Sequence, residues 1–134
     1  MIRLATIDDY NYISHALARK AVPYMSPTHA KADISRGQMY VKILDNKIVA
    51  QCSLVPEPLY NYTALKRMII YRKENCGKHI ADEFIQYFLT LGLSLGATPW
   101  AENTKVKHIL EKAGFTYQYT FLNNYEFYLF TKSS

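Results

Sequence analysis

The sequence predicts an α/β (α+β) chain, a mixed and mostly antiparallel central sheet flanked by helices. Three observations predict it. Strand-like and helix-like stretches alternate along the 134 residues, an order that lays helices over a sheet. Two apolar stripes at helical spacing follow Gly77 and Asn103. Two pairs of strand-like runs are joined by turn residues, at Asp45-Asn46 and at Leu122-Asn123-Asn124.

The elements follow in order. Ile2 to Ala5 makes a short first strand. Thr6, with Asp9 three residues on, forms a capping-box signal for a helix that carries Tyr10, Ile13, Leu17 and Ala21 on one side. That helix ends by Pro23. Pro27 opens a second helix that stops at Gly37. Met39 to Leu44 and Lys47 to Val55 are hairpin partners, with Pro56 and Pro58 as breakers. Tyr62 to Tyr71 reads as a central strand. After Gly77 the period changes: Ile80, Ala81, Phe84, Ile85, Phe88 and Leu89 lie on one helical stripe, ended by Gly92 and Gly96. Ala97 to Ala101 is a short strand. Val106, Ile109, Leu110 and Ala113 form a last helix that Gly114 caps. Phe115 to Phe121 and Tyr125 to Phe130 close the chain as a hairpin.

Nothing in the composition suggests a linker or a repeat, so residues 1–134 read as a single domain. Hydrophobic residues make up 49% and charged residues 20%, a globular balance. No apolar run approaches the roughly 18 residues that a bilayer span needs. The first residues lack a basic stretch followed by an apolar block, and a cytoplasmic address is the expectation. Cys52 and Cys76 have no surrounding His/Cys cluster, so no metal site is expected. The net charge of +5 suits nucleic acid or a phosphate-bearing small molecule equally. The 12 tyrosines suit half-buried strands or stacked bases. The absence of any Lys or Arg from residues 117–130 places nucleic acid last, and no nucleic-acid partner is expected.

The informative stretch runs from Leu65 to Ala81: a strand, a short basic loop, and a helix that begins near a glycine. A helix start presents unsatisfied N–H groups and the positive end of the dipole, and a phosphate is their natural partner. Lys73 and Lys78 add charge, and Gly77 permits close approach to the backbone. The alternative is an ordinary turn with solvated lysines.

Cys76-Gly77-Lys78-His79-Ile80-Ala81 resembles the Arg/Gln-x-x-Gly-x-Gly/Ala cofactor loop of the GNAT family of N-acetyltransferases. Cys76 replaces the Arg/Gln, and His79 replaces the first required glycine. Asn103 followed by an apolar helix face and Glu111-Lys112-Ala113-Gly114-Phe115 resembles the family's late segment. The opening Ile2-Arg3-Leu4-Ala5-Thr6 and the hairpin ending Lys47-Ile48-Val49-Ala50 agree in order.

This resemblance implies the acyl-CoA N-acyltransferase fold and an acetyl-CoA-dependent transfer of acetyl to a primary amine of a small molecule or peptide. By position it implies that Ile69, Ile70 and Tyr71 offer backbone groups to the pantetheine and thioester. Residues Cys76, Gly77, Lys78, His79, Ile80 and Ala81 would surround the pyrophosphate, and Asn103 would bond the pantetheine. The family's tyrosine general acid is replaced by Leu110, and its fourth-strand carboxylate by Lys66 and Arg67. Glu102 is the candidate catalytic carboxylate, with Glu57 as a second. Tyr24, Met25, His29 and Tyr60 would shape the acceptor site. A catalytically silent relative that binds acyl-CoA or a protein partner is the alternative. The tyrosine-rich closing hairpin offers a face for a second copy.

Overall fold

The structure is a computed structural model that describes residues 1–20, 26–71 and 79–132. The expected order of strands and helices is observed. The strands are β1 (Ile2–Leu4), β2 (Met39–Leu44), β3 (Lys47–Glu57), β4 (Tyr62–Ile70), β5 (Leu95–Ala97), β6 (Thr116–Phe121) and β7 (Tyr125–Phe130). The helices are α1 (Tyr10–Lys20), α2 (Pro27–Ser35), α3 (Ile80–Leu89) and α4 (Thr104–Lys112). The strand order is β1-β2-β3-β4-β5-β7-β6. The β4–β5 pair is parallel, and β1–β2, β2–β3, β5–β7 and β6–β7 are antiparallel.

The chain divides into two compact units, whose boundary runs through β3 and β4: Met1–Leu54 with Arg67–Ile80, and Val55–Lys66 with Ala81–Ser134. In the first unit Ile13 and Leu17 of α1 join Ala30 and Ile34 of α2 in a core with Met39, Val41, Ile48 and Ile69. Before α1, a short 3-10 turn (Ile7–Asp9) intervenes. The Asp9 carboxylate accepts the Thr6 N–H at 2.8 Å and the Arg3 guanidinium at 2.8 and 3.0 Å. The capping signal is thus real, and it also ties β1 to the helix entry. The β2–β3 turn has Asp45 and Asn46 at φ 51° and 62°, the positive values of the tightest hairpins. Residues Ile48 to Leu54 of β3 are buried without alternation, as a strand covered on both faces must be.

In the second unit Phe84, Ile85 and Phe88 of α3 and Leu110 of α4 are buried, so both predicted stripes face inward. Asn103 caps α4, its Oδ1 accepting the Val106 N–H at 3.2 Å.

Three expectations fail at strand ends, each for a physical reason. β3 continues through Pro56 to Glu57. Its pairing with β2 ends at Ser53, so a proline beyond that point forfeits no β2 ladder bond. β5 is Leu95–Ala97, not 97–101. Pro99 has no N–H to continue the ladder, and beyond it only a single bridge, Trp100 with Tyr125, rejoins β7. Gly96 lies inside β5 and does not end a helix. The left-handed residue after α3 is Gly92, at φ 72°.

Candidate functional site

The fourth strand carries the site's main irregularity. Buried residues on β4 are Ala64 and Ile69, five apart, whereas an unbroken strand would keep one face at even spacing. The change of phase falls at Arg67, whose φ is 54°, a left-handed conformation that a residue with a Cβ adopts at a cost. An extra residue of this kind is a bulge, and bulges bend strands next to functional clefts.

Within the first unit, buried polar groups hold that conformation. Arg67 donates Nε and a terminal nitrogen to the Asp33 carboxylate at 2.7 and 2.9 Å, and Ser53 Oγ donates to the same carboxylate at 2.8 Å. Asp33, Gln51 and Ser53 are almost fully buried. Gln51 Nε2 reaches the Arg67 carbonyl at 3.5 Å, and its Oε1 accepts the Tyr71 hydroxyl. Burial pushes the Tyr71 hydroxyl well above the ordinary tyrosine range. The Arg67 side chain is therefore a fixture of the first unit's interior and does not stand in for a catalytic carboxylate.

Of the three backbone positions expected along β4, Tyr71 has given its N–H to the Val49 carbonyl at 2.8 Å, so that amide is not available to a thioester. Backbone groups alternate sides along a strand, which turns those of Ile70 away from β3. The Ile69 side chain is buried in the first unit's core. Cys76, Gly77 and Lys78 lie outside the described residues, as do Tyr24 and Met25. His79 is exposed in the turn before α3. Ile80 is buried and Ala81 half-buried, so both would meet a ligand only through the main chain. Asp82 and Glu83 occupy the first turn of α3, where they complement the helix dipole themselves. That charge is written in the sequence and weakens the anion site read from the loop.

In the second unit β4 and β5 pair only at Thr63 with Leu95 and Ala64 with Gly96. Past that point a cleft of about 230 Å³ opens, with Leu65 and Lys66 of β4 on one side and Ala97, the last residue of β5, and Thr98 on the other. Glu57 at the end of β3, Tyr62, Phe121 and Phe127 complete its walls. Glu57 and Lys66 form an ion pair at 3.2 Å. Loss of hydration, and then the Glu57 carboxylate, push the Tyr62 hydroxyl up. It stays protonated at neutral pH.

Glu102 is not among the residues that line the cleft. It is exposed in the turn before α4. The nearer carboxylate is Glu57, because β3 runs past Pro56 and carries Glu57 to the cleft wall. Asn103 uses its Oδ1 as the α4 cap, which leaves its amide nitrogen to donate. Leu110, where a tyrosine acid would stand, is buried. His29 caps its own helix entry, where its Nδ1 lies 3.3 Å from the Ser26 N–H. Tyr60 is exposed and lies 6.2 Å from the Tyr62 ring.

Tyr62 was the residue that sequence reasoning missed. Its signal was the glycine at 96: a Cβ there would meet the Tyr62 ring at 2.5 Å. That contact depends on β4–β5 register, which no local pattern reveals.

No family model matches the sequence, and no curated protein does. Solved structures do match. An acetyltransferase of the GNAT family from Bacillus cereus superimposes with a TM-score of 0.82 at 16% identity, over 100% of this chain and 98% of that one. A GNAT-family acetyltransferase from Streptococcus agalactiae gives 0.80 at 18% identity, covering 100% and 96%. A ribosomal alpha-N-protein acetyltransferase, RimL, in complex with coenzyme A gives 0.77 at 14% identity, covering 98% and 93%. At such identities the likeness concerns architecture, and by architecture the chain has the fold of the GNAT acetyltransferases.

Proposed function

We propose that the chain is an acetyl-CoA-dependent N-acetyltransferase that transfers an acetyl group to a primary amine. The observation that carries this reading is the parting of β4 from β5 after two paired residues, with a cleft between them. Sheet edges that separate without losing their fold leave backbone groups for an extended ligand. The fit for the donor includes the side-chain amide N–H of Asn103, which the α4 cap leaves free to donate. Acetyl-CoA supplies the activated acyl group. Ile69, Ile70, the carbonyl of Tyr71, positions Cys76 to Ala81 and Asn103 remain the proposed cofactor positions.

The residues of the cleft supply orientation and proton transfer, the effects that direct acyl transfer needs most. Glu57 is the group assigned to take the proton of the attacking amine, and its ion pair with Lys66 fixes its position. The protonated Tyr62 hydroxyl is a donor for developing negative charge. The test is release of free thiol from acetyl-CoA by the purified chain across a panel of amines. Amine-dependent release that Glu57→Gln lowers in kcat, with acetyl-CoA affinity kept, supports the assignment. Release that no amine stimulates overturns it.

The second reading, a silent relative that binds acyl-CoA or a protein, is favoured by Leu110 and by Asp82 and Glu83 in the first turn of α3. Acetyl-CoA binding without thiol release would select it. A cytoplasmic address belongs to the same proposal, and the closing hairpin is the face on which a second copy would dock. Among the described residues no helix is long and apolar enough to cross a membrane.

A further inference from the structure

The second unit's cleft is walled by rings. Tyr62, Phe121 and Phe127 line it. Tyr62 and Phe127 lie 5.2 Å apart, and Tyr119, outside the lining, packs on Phe127 at 5.3 Å and on Phe121 at 6.2 Å, spacings at which aromatic pairs attract. Gly96 permits the arrangement. A Cβ at that position would fall 2.5 Å from the Tyr62 ring and 3.1 Å from Phe127, so any side chain there would push the wall out of place. A glycine in a strand marks such a close approach.

The charged groups of the wall cancel. Glu57 and Lys66 line the cleft and pair with each other. A second ammonium group entering it would meet no unmatched carboxylate among the described lining residues. The attraction of ring faces for a cation is weaker than the cost of desolvating an ion. The chain's net charge of +5 adds a further barrier to polycations. A volume of about 230 Å³ admits one ring on a short chain.

We propose that this cleft is the acceptor subsite and that the acceptor is a primary monoamine bearing one aromatic ring on a short alkyl arm, an inference that rests on the acetyl-transfer reading. The amine nitrogen attacks the acetyl carbonyl carbon, an N–C bond forms and the C–S bond breaks. The proton released from the nitrogen passes to Glu57 and from Glu57 to the departing thiolate, so amide and free thiol are the products.

The test uses the full chain with acetyl-CoA and 2-phenylethylamine, n-butylamine or spermidine as acceptor. 2-Phenylethylamine is expected to exceed both others in kcat/KM by about tenfold or more, the scale that apolar pocket contacts discriminate. Tyr62→Ala should reduce the phenylethylamine-to-butylamine ratio about tenfold, through KM, while Tyr62→Phe keeps it. A preference for spermidine or butylamine, or a ratio that Tyr62→Ala leaves unchanged, overturns the subsite and leaves acetyl transfer standing. Should no amine be turned over, saturation-transfer NMR with 2-phenylethylamine alone decides. Transfer to its ring protons, lost in Tyr62→Ala, supports the subsite without the enzymatic reading, and no transfer overturns it.

Discussion

Arg67 meets two demands at once: a left-handed backbone in the middle of a strand and a buried ion pair with Asp33. The pair can hold the bulge because removing one partner leaves the other charge buried and uncompensated, at about 3–5 kcal/mol. Arg67→Ala should therefore lower the unfolding free energy by about that amount, read from the urea midpoint. Arg67→Gly loses the same pair but relieves the φ of 54°, and should be more stable than the alanine variant by about 1 kcal/mol. Equal stabilities would show that the conformation carries no strain. Asp9 makes a pH-dependent case. Its hydrogen bond to the Arg3 guanidinium holds the carboxyl below its ordinary value. The resulting stability is complete above the unfolded carboxyl pKa of about 3.9 and is lost as pH falls through the lowered native value. In Asp9→Asn the urea midpoint should change less between pH 5 and pH 2 than in the native chain. A parallel pair of profiles would remove Asp9 from the acid transition.

At the scale of elements, α4 and its cap separate structure from binding. Asn103→Ala removes the Oδ1 acceptor and should cost about 1 kcal/mol of stability. Asn103→Asp keeps a cap oxygen but lacks the amide N–H, so stability should hold while acetyl-CoA affinity falls. If Asn103→Asp binds acetyl-CoA as the native chain does, Asn103 is a cap and nothing more. Helices were legible in the sequence because each carries its own evidence: Thr6 and Asp9, Pro27 with Gly37, and apolar stripes at fixed spacing. Strand ends were less legible because they depend on partners. Pro56 was expected to stop β3, and no local signal tells whether its missing N–H would have faced a neighbour. The shift of β5 from 97–101 to Leu95–Ala97 has the same origin: Gly96 looks like a helix stop until Tyr62 is seen above it.

For the whole molecule, the order of elements and the fold agree with the resemblance found in the residues. Glu57 lines the cleft and Glu102 does not, because the cleft is built by three-dimensional convergence of β3, β4, β5 and the closing hairpin. The Asp33–Arg67 contact joins residues 34 apart in the chain, a separation that no motif spans. The most direct measurement is the apparent melting temperature of the native chain against acetyl-CoA concentration. A ligand that binds only the folded state adds about 2.7 kcal/mol at a hundred times its dissociation constant. The account predicts a melting temperature that rises steadily with acetyl-CoA. A melting temperature that stays flat up to millimolar acetyl-CoA would contradict it.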